Sequence, residues 1–235
     1  MRFALSGIAA AAIALLTFGQ PVMAAPIATT RETLTAEYLY GVPAGLDMSA
    51  LVDKPRLLGT THQLFQDETT GERRLTGYAE AVAVYDMPLE SLVAVACDFA
   101  SYPSFVPRIL EATVQGRDGP VWRVRYNVGI RFLGVEVAYR SIFDSTIEHL
   151  DDGAVGVRAW QVQSLDGGLY ESYNSFYFAP VTVNGKTMCF VRYFNRPGIR
   201  RPGFGLLQVL DLFTPPESRA QVAAIANEAR RRAPR

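Results

Sequence analysis

The chain is poor in the residues that most active-site chemistry needs. It has two histidines, His62 and His149, and two cysteines, Cys97 and Cys189, in 235 residues. A metal site, or a hydroxyl nucleophile driven by histidine, needs more partners than these supply. No metal and no cofactor is therefore expected, and both histidines are expected on the surface. No pair of carboxylates has a spacing that singles it out for acid–base work. Charge of one sign is also missing, since 23 Lys and Arg balance 23 Asp and Glu. Without a basic excess or a basic–aromatic stripe, a nucleic-acid partner is excluded. The one long apolar run is N-terminal, from Ala4 to Phe18. It is short for a membrane span, which needs roughly 20 residues. No internal repeat or low-complexity tract is present.

That N-terminal run reads as an address. Arg2 gives a positive start, and Gly19-Gln20-Pro21 ends the apolar stretch. Val22 and Ala24 are the small residues a signal peptidase reads, which predicts a signal peptide over 1–24 cut after Ala24. An uncleaved anchor is the alternative. The Ala-rich core has a bacterial style, so the mature chain is expected in the periplasm or secreted. In that compartment Cys97 and Cys189 can pair. Each also has apolar neighbours, and as buried thiols they would pack as small hydrophobes.

The remaining chain has about half its residues hydrophobic, enough for a sizeable core. Residues 25–70 read as an N-terminal extension, broken by Gly41, Pro43, Gly45 and Pro55, and 71–235 as the main domain. A short helix is expected near Thr33 to Tyr40, and an extended segment from Leu57 to Phe65. Arg74 to Tyr85 alternates and forms a hairpin with it across the 67–72 turn. Pro88 then opens a helix. Leu89, Leu92, Val93, Ala96 and Phe99 recur at helical spacing on one face. Pro103 ends it, because a residue before proline leaves the helical region, and Pro107 closes a short helical turn.

Strands follow at Ile109 to Gln115, Val121 to Phe132, Val135 to Glu148, Val155 to Ser164, Leu169 to Ala179 (ended by Pro180) and Thr187 to Phe194. Asn184-Gly185 is a hairpin turn. Pro197 to Pro202 reads as a loop. A final helical stripe from Leu206 to Phe213 is expected to break at Thr214-Pro215-Pro216 and restart with capping-box spacing. Arg230 to Arg232 close it, where positive charge suits the helix dipole. Contact of these arginines with anionic lipid competes with plain solvation of the helix end.

This order predicts an α+β helix-grip fold. A curved antiparallel sheet wraps a long C-terminal helix around an internal cavity, and such cavities take apolar ligands. The stretch Val82 to Gly129 resembles the START-like (SRPBCC) superfamily, in particular its polyketide cyclase and coenzyme-Q-binding branch. The resemblance rests on Pro88, Glu90, Asp98 and the run Tyr102-Pro103-Ser104-Phe105-Val106-Pro107. In pattern it extends over roughly Thr76 to Arg232. It implies a hydrophobic-ligand cavity under the C-terminal helix and no single chemistry.

Candidate ligand contacts are Tyr126, Trp160, Phe176, Phe178, Leu206, Leu210 and Arg192. If Arg192 faces the cavity it needs a partner such as a ligand head group. The alternative puts Cys189, Val191 and Tyr193 inward instead. Asp98 fits a capping or turn role. Gly203-Phe204-Gly205 lacks the lysine of a phosphate loop and suits a flexible entry to the last helix, or the hinge of a lid.

The function expected is exported binding or transport of a lipid or other hydrophobic small molecule, without catalysis and with transient membrane contact. A cyclase- or aromatase-like enzyme using the same cavity is one alternative. An envelope interaction module working through a surface patch is another.

Overall fold

The structure, a computed structural model, describes residues 40–132 and 135–233. The signal peptide over 1–24 lies outside them, as does all of the expected helix near Thr33 except Tyr40. In chain order the elements are β1 (Arg56–Gln66), β2 (Arg73–Tyr85), α1 (Leu89–Ala96), a 3-10 turn (Phe99–Ser104), β3 (Ile109–Asp118), β4 (Val121–Phe132), β5 (Val135–His149), β6 (Val155–Ser164), β7 (Tyr173–Val183), β8 (Lys186–Arg196), β9 (Gly198–Arg200) and α2 (Leu206–Arg232). The strands form one antiparallel sheet in the order β1-β2-β8-β7-β6-β5-β4-β3, with β9 beside β2. The expected boundary at residue 70 thus falls in the β1–β2 turn, and β1 belongs to the same sheet as the strands that follow.

Three elements depart from the sequence reading. The strand expected to stop before Pro180 runs on to Val183, and Pro180 pairs with Cys189. β6 reaches only as far as Phe178, so on that side the missing N–H of Pro180 breaks no ladder bond. The loop after Pro197 contains β9, three residues that extend the line of β8 along β2. The C-terminal helix does not break at the prolines. Pro215 and Pro216 cannot donate to the carbonyls four residues back, those of Asp211 and Leu212. Both of these residues are solvent-exposed, so water can satisfy them. Beyond the prolines Val222, Ile225, Ala226 and Ala229 are buried against the sheet, and that packing holds the helix together.

Around β2, β7 and β8 both faces of the sheet are dry. The concave face receives α1 and α2 in a core containing Ala83, Val124, Phe143, Phe178, Val191 and Ile225. Cys97 and Cys189 border this core as free thiols. Burial pushes their pKa up to about 11 and about 12. The convex face carries Val82, Val84, Tyr177 and Phe190, covered by the extension through Leu51 and its neighbours. Val52 forms a parallel bridge with Val84, and the Asp53 N–H donates to the Val84 carbonyl at 2.9 Å.

Arg192 belongs to this convex side, so the alternative with Cys189, Val191 and Tyr193 inward is the one the fold adopts. The Arg192 Nε donates to Glu80 Oε1 at 2.6 Å, and Nη1 donates to the carbonyls of Tyr40 (3.0 Å) and Gly41 (3.1 Å). Its charge is buried with a matched partner, and it straps the extension to the sheet. The Tyr40 ring packs over Gly156, where a β-carbon would lie 2.2 Å from it, and its hydroxyl donates to Glu148 at 2.8 Å. Arg192→Met strands the Glu80 carboxylate and should lower stability by about 3 kcal/mol in urea unfolding. The double variant Arg192→Met/Glu80→Leu should recover most of that loss. Equal losses in the two would show that the ion pair does not hold the strap.

Candidate functional site

Between the concave face and α2 lies a cavity of about 210 Å³. Its walls follow from strand alternation. Side chains two apart point to the same face, which brings Tyr126, Phe143, Val157, Phe176 and Tyr193 to one surface. Tyr102 of the 3-10 turn completes it and donates its hydroxyl to the Ala96 carbonyl. Burial raises the pKa of Tyr102, Tyr126 and Tyr193, so all three stay neutral at physiological pH. Polar groups are interspersed with this apolar wall, among them Ser145, Ser172, Thr214, Ser218 and Gln221. Asn174 and Asn195 sit directly opposite each other on β7 and β8, and both line the cavity. Arg108 and Glu217 form an ion pair at its edge. Burial raises the Glu217 pKa, and Arg108 offsets this only in part.

The candidate residues divide. Tyr126, Phe176 and Leu210 line the cavity. Phe178 is on the correct face but fully buried, stacked on Phe176 at 5.9 Å between ring centroids. Leu206 packs one layer away, with Leu75, Leu169 and Ile199. Trp160 does not share the cavity's face. It packs on Tyr173, ring centroids 4.2 Å apart, in a cluster with Tyr40 and Phe194. Arg192 is likewise absent from the lining, for the reason given above. Sequence reasoning missed Arg108, Glu217 and the asparagine pair. The asparagines were within reach, since Tyr193 and Phe176 inward puts Asn195 and Asn174 inward by the same two-residue period.

The helix that roofs the cavity is held differently at its two ends. In its first half Asp211 Oδ1 meets His62 Nδ1 at 2.9 Å, and the Thr214 hydroxyl lies 3.5 Å from Nε2. His62 is therefore not a surface residue; its side chain is fully buried. In the middle, Gln221 donates to the Pro107 carbonyl at 3.2 Å, beside the Arg108–Glu217 pair. At the end, Glu228 binds Arg231 (2.5 Å) and Arg232 (2.6 Å), Arg232 binds Asp98 (2.8 Å), and Arg230 binds Asp53. The three arginines are thus engaged within the chain, and Asp98 anchors the helix end.

No family model matches the sequence, and no curated protein matches it. Solved structures share the architecture. A STAR-related lipid transfer protein fragment from Xanthomonas axonopodis superposes with a TM-score of 0.50 at 13% identity, over 75% of this chain and 98% of that one. Human StAR-related lipid transfer protein 5 superposes with a TM-score of 0.53 at 11% identity, over 75% and 84%. At such identities the likeness establishes the fold.

Because the prolines remove two backbone bonds and the first half buries little, residues 206–213 should open before 218–229. Amide hydrogen exchange should be at least about tenfold faster in the first segment; equal protection would mean the helix moves as one rod. A second prediction concerns Glu228, whose carboxyl is held down to about 2, first by Arg231 and then by Arg232. A lowered carboxylate pKa stabilises the fold above the unfolded-state value and is lost as pH falls through the folded one. The Glu228 side chain is only 5% exposed, between two arginines that reach solvent, so Glu228→Gln should cost about 2 kcal/mol at neutral pH, as loss of charge-assisted hydrogen bonds does. That difference should vanish in thermal unfolding as the pH approaches 2.

Proposed function

Starting from a START-like helix-grip fold, we propose that this protein is an exported carrier of a hydrophobic small molecule, held between the concave sheet and the C-terminal helix. The observation that carries this reading is the cavity itself, aromatic-lined and roofed by a helix whose first half is loosely anchored. An apolar ligand gains free energy by leaving water for such a wall, at about 25 cal/mol per Å² of apolar surface. The lipid-transfer proteins of similar fold support the same ligand class. Export rests on the apolar N-terminal run and the small residues Val22 and Ala24.

Loading from a membrane completes the proposal. Phe204 stands fully in solvent ahead of α2, and Leu212 is 64% exposed on the same half-helix. Apolar side chains so placed suit brief insertion beside the cavity's moving wall. Gly205, at φ 79, allows the chain to turn between Phe204 and the helix.

Native mass spectrometry of the mature protein purified from its own periplasm, with organic extraction, tests the carrier reading. An apolar molecule bound one to one is the expected result. A protein that arrives empty and takes up no dodecanol on incubation would overturn it.

A further inference from the structure

We infer that the ligand is a single-chain carboxylate whose head group takes Arg108 from Glu217, so that the Arg108–Glu217 pair is a latch opened by ligand entry. This rests on the carrier reading of the same cavity and names its ligand class.

Among the described residues that line the cavity, Arg108 and Glu217 are the only formally charged ones. A cation facing an apolar chamber is an anchor for an anionic head, and Arg matches carboxylate in a two-bonded fork. Glu217 already presents a carboxylate to it from α2, and so occupies the place a ligand head group would take. That occupancy is uneasy. Glu217 is partly desolvated, and burial raises its pKa despite the guanidinium beside it. A ligand carboxylate would meet the same arginine, with an apolar tail packed against the aromatic wall as well.

Arg108 is also held in an unusual backbone state. It has φ 66, a left-handed conformation rare outside glycine. Its carbonyl accepts a hydrogen bond from the Gly129 N–H at 2.9 Å, which fixes the turn between the 3-10 segment and β3. Such outliers persist where surrounding structure over-determines them, and they cluster at ligand clamps. The pair bridges this turn to the roof helix. Exchange of Glu217 for a ligand head group therefore removes one tie between the two elements that close the cavity.

Size narrows the class further. A cavity of about 210 Å³ lies below the roughly 300–1,000 Å³ typical of drug-sized ligands. One chain suits it, and a two-chained lipid does not enter this closed state.

The test compares dodecanoate, dodecanol and methyl dodecanoate by calorimetry on the full mature protein. Wild type should prefer dodecanoate to dodecanol by roughly ten- to a hundredfold, the range of a charge-assisted hydrogen bond. Glu217→Gln removes the competitor and should tighten dodecanoate by about tenfold more than it changes dodecanol. Arg108→Gln should abolish the preference. So should Arg108→Gln/Glu217→Gln, which leaves no unpaired charge and guards against misfolding of the single variant. Equal binding of acid and alcohol by wild type, or a preference that survives in the double variant, overturns the latch and leaves the carrier reading standing. Failure of all three compounds to bind overturns the carrier reading and this inference with it.

Discussion

The structure depends on how a single helix lies in the concave face of a nine-stranded sheet. A sheet this wide curves around more surface than one helix can cover. The second half of α2 meets it closely, with Val222, Ile225, Ala226 and Ala229 almost wholly buried. The stretch from Leu210 to Gln221 does not, and it lines the cavity where contact is incomplete. Pro215 and Pro216 lie within that stretch. They weaken the backbone in the middle of the roof, with cavity-lining residues on both sides, so hinge and cavity adjoin.

The convex face explains a second feature. In an open antiparallel sheet one face usually meets water, and alternation then reveals which side is inward. Here the extension covers the convex face, so β2 and β8 are buried on both sides. Their sequences lose the polar stripe that would have oriented them. The orientation of Arg192 was undecidable for this reason: apolar residues flank it in both registers. What resolved it was the strap, whose carbonyls and Glu80 supply the acceptors a buried guanidinium requires.

Much of the fold was legible because local signals agree. The Asn184-Gly185 turn, at φ 50 and 77, has the left-handed pair a tight hairpin needs. Pro88 stands at the start of α1, and the Tyr102-to-Pro107 run does form a short helical turn. Tyr126, Phe176 and Leu210 were found in the cavity because aromatic and leucine stripes follow their periods. The errors came from non-local causes. Pro180 is tolerated because β6 ends early, and β9 exists because β2 offers it an edge. His62 is buried because a helix about 150 residues later crosses over it. Arg108 and Glu217, 109 residues apart, carry no shared motif, and only the fold makes them a pair.

Two of the arginine–glutamate pairs show how one chemistry serves opposite ends. Arg192–Glu80 has side chains 7% and 12% exposed and adds two carbonyl acceptors, so every route to separation strands a charge. Arg108–Glu217 is more open, at 22% and 29%, borders a cavity, and joins a turn to a helix that is weak nearby. Breaking a buried pair is costly chiefly when nothing replaces the lost partner. At Arg192 the protein offers no replacement, and the contact is permanent scaffolding. At Arg108 the cavity can deliver one, and the free-energy cost of separation then depends on what enters. The latch is conditional because of where it sits, not because its ion pair differs in kind.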